Sequence, residues 1–117
     1  MSDLGTIYRG CTFERAMNYT DSEGEPVPLT GDEISFELRY NRQSVRPDLI
    51  LATDAEANDN GSSVTWEDQD GGEWFVKLTD EETAQLNIGT AYWVVKRKEA
   101  DGDAIRLAGG TVEIDNA

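Results

Sequence analysis

The sequence has 117 residues with 24 acidic and 10 basic side chains, which gives a formal net charge of −14. This length predicts one domain over residues 1–117 with frayed ends at 1–4 and 115–117, and the acidic balance argues against binding to nucleic acid or anionic membranes. A single cysteine, Cys11, excludes an internal disulfide, and the lack of histidine removes the commonest catalytic base.

The first half of the chain predicts three strands separated by turns. A short β-favouring stretch at 6–9 is followed by Gly10 and by a second strand over 12–20. The segment 21–31 is rich in glycine, proline and acidic residues, which suits a turn. Beyond it, apolar and polar residues alternate, as expected for a strand with one buried and one solvated face. The residues predicted to be buried are Ile34, Phe36 and Leu38, with Tyr40 on the same face at the edge of the core, and those predicted to face water are Glu33, Ser35, Glu37 and Arg39.

The middle of the chain predicts a hairpin and then the only credible helix. A short apolar stretch at 49–52 is followed by an acidic loop at 53–63. Strands at 63–67 and 73–78 flank a turn that contains Asp-Gly-Gly, a sequence that readily adopts positive φ. The acidic segment at 80–87 then predicts a helical turn, which is too short to be stable without tertiary contacts.

The last third predicts the cap of this helix and a second hairpin. Thr79 is a suitable N-cap, and Glu82 stands three residues later, where it completes a capping box. Strands at 92–99 and 104–114 flank an Asp-Gly turn, which is a strong hairpin signal. The pair Gly109-Gly110 predicts a bulge or bend in the final strand.

These elements amount to seven to nine short strands with one helical turn near 80–87. This spacing predicts an all-β fold, an antiparallel sandwich or a barrel-like structure. No apolar run approaches the length of a membrane span, so no membrane association is expected.

The chemistry-bearing residues do not form an enzyme motif. The sequence contains no hydrolase elbow, no phosphate-binding glycine loop and no Cys/His cluster with metal-ligand spacing. Paired carboxylates can cleave glycosides, but among 24 acidic residues some pair will lie at any chosen distance. We therefore predict no catalytic residues, no cofactor and no enzymatic activity.

One acidic segment resembles an EF-hand calcium loop. Its candidate ligands are Glu56, Asn58, Asn60 and Glu67, arranged around Gly61. Calcium favours clustered carboxylate and amide oxygens around a glycine turn. The first position is Glu where the motif has Asp, and the flanks predict a loop and a strand instead of two helices. We therefore expect no metal site and no calcium requirement.

Two groups of side chains are candidates for partner contacts. Trp66, Trp74 and Trp93 suggest sugar stacking, but they lie in predicted strands, where core packing or an intersubunit contact is expected. The bases are concentrated in a few segments, whereas 47–76 contains none. Such segregation suits either two solvated faces or a bipolar surface for head-to-tail contact between copies. The basic contact candidates are Arg39, Arg42, Arg46, Lys96, Arg97 and Lys98.

Several turn and strand markers carry a family resemblance. The chain reads RGCTF at 9–13, then YTDSEGEPVPLTG at 19–31, and GGTVEI at 109–114. This order resembles small Ig-like proteins of tailed phages and prophages, and the start of phage baseplate upper proteins. Cys11 stands where an acidic residue is common in that family. The resemblance covers nearly the whole chain and implies an Ig-like β-sandwich and a virion structural role, with no catalytic residues.

Three functions follow as expectations. The first is a neck, tail or baseplate protein that contacts other virion proteins and possibly further copies of itself, assembled in the bacterial host cytoplasm and located in the virion. The second is a module that binds a glycan or calcium. The third is a soluble acidic inhibitor that mimics the charge of DNA.

Overall fold

The computed structural model describes residues 4–53, 56–100 and 102–117. Within these residues the chain forms eight strands and one short helix. The elements in chain order are β1 (Thr6–Arg9), β2 (Phe13–Asn18), β3 (Glu33–Arg39), β4 (Leu49–Ala52), β5 (Ser63–Asp68), β6 (Glu73–Leu78), α1 (Asp80–Ala84), β7 (Gly89–Lys98) and β8 (Ala104–Asn116).

The strands form two sheets that enclose the core. One has five strands in the order β1-β8-β7-β3-β4, and the other has three in the order β2-β6-β5. The predicted all-β, sandwich-like fold and its single helical turn are confirmed. One pair differs from a purely antiparallel arrangement, because β1 lies parallel to β8, with Thr6 opposite Glu113. No helix in the described part of the chain has the length and apolar character needed to cross a membrane.

Strand β3 lies in the five-stranded sheet, between β4 and β7. Its side chains Ile34, Phe36 and Leu38 are fully buried, as the alternation predicts. Phe36 stacks against Trp93 of β7, with 6.4 Å between ring centroids. Burying each such apolar side chain contributes roughly 1.5–3 kcal/mol, so the inner face of β3 is a principal source of stability.

Glu37 is a correction to that pattern. The alternation places its side chain in water, but only 5% of the residue is exposed. Basic side chains from β3 and β7 enclose the carboxylate. A period-two pattern identifies the face on which a side chain lies, but it does not identify the neighbours that cover it.

Both ends of the described chain are more ordered than the sequence predicts. Leu4 is 2% exposed and belongs to the core. Asp115 and Asn116 lie within β8, opposite Tyr8 and Arg9 of β1. Pairing with β1 therefore satisfies backbone groups that would otherwise fray. Residues 1–3 lie outside the described part.

The irregularity of the last strand also lies elsewhere than predicted. Val95 is opposite Ala108 and Lys96 is opposite Arg106, so Leu107 is the extra residue. Gly109 and Gly110 remain in regular register with β7. The predicted bulge at these glycines is therefore wrong by two residues, and the glycines have another role, described below.

Helix α1 forms only half of the predicted capping box. The Thr79 hydroxyl accepts a hydrogen bond from the Glu82 backbone N–H at 3.3 Å. The backbone N–H of Thr79 donates to the Ser62 side chain at 3.1 Å, so it is not available to the Glu82 carboxylate. That carboxylate turns instead towards the loop before β5.

Candidate functional site

The outer face of the five-stranded sheet carries a group of basic side chains. Arg39 of β3 lies opposite Tyr92 of β7. Lys96 of β7 lies between Ser35 of β3 and Arg106 of β8. Residues directly opposite each other in a sheet project from the same side. The strand register therefore brings together bases that are far apart in the sequence.

Glu37 lies beneath two of these bases. Its carboxylate accepts hydrogen bonds from Arg39 Nη1 at 2.7 Å and from Lys96 Nζ at 3.1 Å. Burial alone raises the pKa of Glu37, but the hydrogen bonds from Arg39 and Lys96, together with their positive charges, outweigh it and hold the pKa below its ordinary value. Arg39 and Lys96 are thus partly neutralised within the chain.

The loop after β3 folds over Arg39. The guanidinium donates through Nε to the Ser44 carbonyl at 3.0 Å and through Nη2 to the Val45 carbonyl at 3.4 Å. This arrangement positions Arg42, whose guanidinium carbon lies 5.3 Å from the centre of the Tyr92 ring. At that distance the cation is attracted to the face of the aromatic ring.

These side chains border a depression of about 390 Å³. Its floor comes from β7 and β8, and one wall comes from the loop after β3. The lining includes no acidic residue, although the protein as a whole is strongly acidic. The lining residues are Arg39, Arg42, Ser44, Tyr92, Trp93, Val94, Arg106 and Gly110.

The remaining predicted basic contacts divide into two kinds. Arg97 forms an ion pair with Asp32, with 2.8 Å between Nε and Oδ2, and its side chain is only 20% exposed. Arg46 and Lys98 are exposed. Of the predicted basic contacts, Arg42, Arg46 and Lys98 are therefore accessible to a partner, as is Arg106, whereas Lys96 is partly covered.

Two of the three predicted tryptophan contacts lie in the core. Trp74 and Trp93 are 3% and 1% exposed. Trp66, opposite Trp74 in the three-stranded sheet, is half-buried. The buried pair lines a second depression, of about 510 Å³, between β2 and β8. Of the three tryptophans, Trp66 is therefore the most accessible to a partner.

The structure does not gather the calcium candidates into a site. Asn58 Nδ2 donates to Glu82 Oε1 at 2.6 Å, and Asn60 Nδ2 donates to Glu82 Oε2 at 3.3 Å. Asn58 Oδ1 accepts from the backbone N–H groups of Asn60 and Ser62, at 3.0 and 2.9 Å. Both asparagine side chains are thus occupied within the chain.

The two predicted acidic ligands lie outside this network. Glu56 precedes the hydrogen-bonded turn and is exposed, and Glu67 is an exposed residue of β5. Across residues 4–53, 56–100 and 102–117, no three Cys, Asp or Glu side chains form a group that could hold a metal ion.

Arg106 and Tyr92 line the depression but are not among the contacts that the sequence predicts. Arg106 lies in the final strand, far in sequence from the loop that carries Arg42. A signal for it is the pair Gly109-Gly110, which leaves space on the sheet beside a long basic side chain. A side chain at Gly109 would meet the Arg106 guanidinium and would lie 2.9 Å from the Trp93 carbonyl oxygen.

Comparison with known proteins does not assign this depression to a family. A scan against models of protein families gives no match, and a search of curated proteins gives none either. The resemblance to phage Ig-like proteins therefore stays a prediction from the sequence motifs.

Proposed function

We propose that this chain is a non-enzymatic structural protein of a tailed phage or prophage particle, at the neck, tail or baseplate, and that it binds other virion proteins through its basic depression. The observation that supports this most is the concentration of accessible bases on one sheet face of an acidic molecule. The sequence resemblance suggests the viral setting. The depression suggests how the contact is made.

Charge favours a protein partner for this face. With a net charge of −14, the whole molecule repels an extended polyanion such as DNA. At physiological ionic strength, however, exposed charges more than about 8 Å apart are largely screened. A compact acidic feature of another protein can therefore approach Arg42 and Arg106 without facing the full negative charge.

The alternative functions fit the surface less well. A glycan-binding module needs exposed aromatic rings, whereas Trp74 and Trp93 are buried. A DNA mimic needs a continuous acidic face, whereas the outer face of the larger sheet carries Arg42, Lys96 and Arg106. The protein-binding interpretation uses the features that are accessible.

The proposal is tested on particles. Labelled antibody should decorate purified particles, and the double substitution Arg42→Glu and Arg46→Glu should reduce incorporation at least severalfold. Lys77→Glu is the control, because Lys77 is an exposed base on β6 of the other sheet. Thermal melting of each variant should show that the fold persists. If particles contain none of the protein while infected cytosol contains plenty, the structural role is wrong.

A further inference from the structure

Two arginines at the depression have no polar partner among the residues that the structure describes. Arg39 is engaged by Glu37 and by the loop after β3, and Arg97 is engaged by Asp32. By contrast, Arg42 and Arg106 form no hydrogen bond or ion pair with any residue in the described ranges. A guanidinium presents five N–H donors. The depression therefore offers two sets of donors that the described part of the chain does not use.

The sheet holds both guanidiniums over adjacent positions. Arg42 lies over the Tyr92 ring. Arg106 lies over Gly109, which is opposite Val94. Gly109 is thus the diagonal neighbour of Tyr92 on the adjacent strand, and such positions lie on the same face roughly 7–8 Å apart. Two cations at this spacing can both reach one small anion between them.

Backbone and ring contacts limit the freedom of these two side chains. The absence of a Cβ at Gly109 lets the Arg106 guanidinium lie close to the sheet. Stacking on Tyr92 supports Arg42 from below. Less rotamer freedom is then lost when a ligand binds, which is how a prearranged site gains affinity.

We propose that Arg42 and Arg106 form a carboxylate clamp, which binds an Asp or Glu side chain in an acidic segment of a partner protein. Guanidinium groups recognise planar carboxylates through paired N–H···O hydrogen bonds. The lining has no acidic residue to compete for them. The identification of that partner as a virion protein rests on the proposed function, whereas the clamp itself depends only on the site.

The site favours an acidic protein segment over nucleic acid. The depression, at about 390 Å³, suits individual side chains. A nucleic acid would extend its phosphates beyond the basic group and onto a surface that carries 24 acidic residues against 10 bases. A short acidic segment places its charge only where the two arginines lie.

The test uses the full chain and a fluorescent, end-capped hexaglutamate peptide, with binding followed by anisotropy at low and moderate salt. Arg42→Gln and Arg106→Gln should each weaken binding by about tenfold or more, the loss expected for one charge-assisted contact. Arg46→Gln should change it less than about twofold, because Arg46 is exposed but lies outside the lining.

Three results would overturn the clamp. The first is a lack of peptide binding by the wild-type chain up to millimolar concentration. The second is an equal loss from Arg46→Gln and from the two clamp variants, which would indicate non-specific attraction. The third is tighter binding of a single-stranded oligonucleotide with the same number of charges. If the peptide binds as expected but particles lack the protein, the clamp stands and the virion role fails.

Discussion

Glu37 and Glu82 are two buried carboxylates that the chain stabilises in different ways. They are 5% and 7% exposed. Glu37, on the outer face of the five-stranded sheet, is bound by the cationic groups of Arg39 and Lys96. Glu82, in α1, is bound by the neutral amides of Asn58 and Asn60. One region uses opposite charge, whereas the other uses hydrogen bonds alone.

The difference shows what each region can offer a partner. At Glu37 the carboxylate binds Arg39 and Lys96, so the accessible cations that line the depression are the ones beyond its reach, Arg42 and Arg106. At Glu82 the amide groups of the loop are directed inward, and no cation is brought to the surface. A buried charge must be compensated in either case. The manner of compensation decides which donors remain for a ligand.

The largest effect should come from the core beneath the first of these regions. Phe36→Ala removes a fully buried ring that stacks on Trp93, and it should lower the free energy of unfolding by about 3–5 kcal/mol. Urea denaturation measures this value. Ile50→Ala is the control, since Ile50 on neighbouring β4 is 57% exposed. A loss below about 1 kcal/mol for Phe36→Ala would contradict the packing of β3.

The second-largest effect on stability should come from Glu37, where a substitution can remove the charge and keep the shape of the side chain. Glu37→Gln keeps the side-chain size but leaves Arg39 and Lys96 without an anion, so it should lower the free energy of unfolding by about 2 kcal/mol. Denaturant unfolding at neutral pH gives the difference. Glu113→Gln serves as the control, because Glu113 is exposed and its carboxylate accepts a hydrogen bond from the neutral Thr90 hydroxyl.

The pH dependence of the stability difference between wild type and Glu37→Gln shows whether the charge of the carboxylate causes it. The pKa of folded Glu37 lies below its ordinary value of 4.5, so the carboxylate contributes stability above pH 4.5 and loses that contribution as the pH falls through the lower, folded value. The gap between wild type and Glu37→Gln should therefore shrink in acid. A gap that stays constant down to the acid limit of folding would mean that the charge is not its source.

A smaller effect is expected at Glu82, because its carboxylate is bound by neutral amides and not by cations. Asn58→Ala removes the donor to Glu82 and the acceptor for two backbone N–H groups, at a partly solvated loop. We expect a loss of about 1 kcal/mol in the free energy of unfolding, measured in urea. Asn87→Ala is the control, since Asn87 is exposed and its hydrogen bond to the Tyr40 hydroxyl comes from the backbone N–H, which alanine keeps. Equal values for the two variants would contradict the role of Asn58.

The smallest effect concerns calcium. Asn58 and Asn60 are bound to Glu82, so millimolar calcium should leave the melting temperature unchanged. Glu67→Gln should leave it unchanged as well, in the presence or absence of the ion, because Glu67 is exposed on β5. A calcium-dependent rise that Glu67→Gln abolishes would require the amides to leave Glu82, and it would restore the calcium-binding interpretation.

The sequence predicts features whose causes are local. The alternation around Phe36 identifies the buried face, because the period of a strand is a property of its own backbone. The Asp-Gly turn of the β7–β8 hairpin is predicted for a similar reason, since glycine permits positive φ, as it does at Gly102. These features need no knowledge of distant residues.

The candidate site depends on register and was only partly predictable. Arg42 was selected because bases cluster near it, but its proximity to Arg106 arises from a loop that folds over β7 and from the pairing of β7 with β8. The same limit explains Glu37, because Lys96 covers it from another strand. Single-sequence periodicity does not contain this information.

The parallel pairing of β1 with β8 has a consequence for synthesis. Arg9 and Asn116, which are 107 residues apart, lie side by side in it. Of the strands in this sheet, β1 leaves the ribosome before the others and must wait for β8, and during that time the backbone donors and acceptors of β1 have no strand partner. Contacts this distant in sequence are slow to form, and unpaired strand edges promote association between chains. The high negative charge offers protection during this interval, since nascent copies repel one another before the sheet is complete.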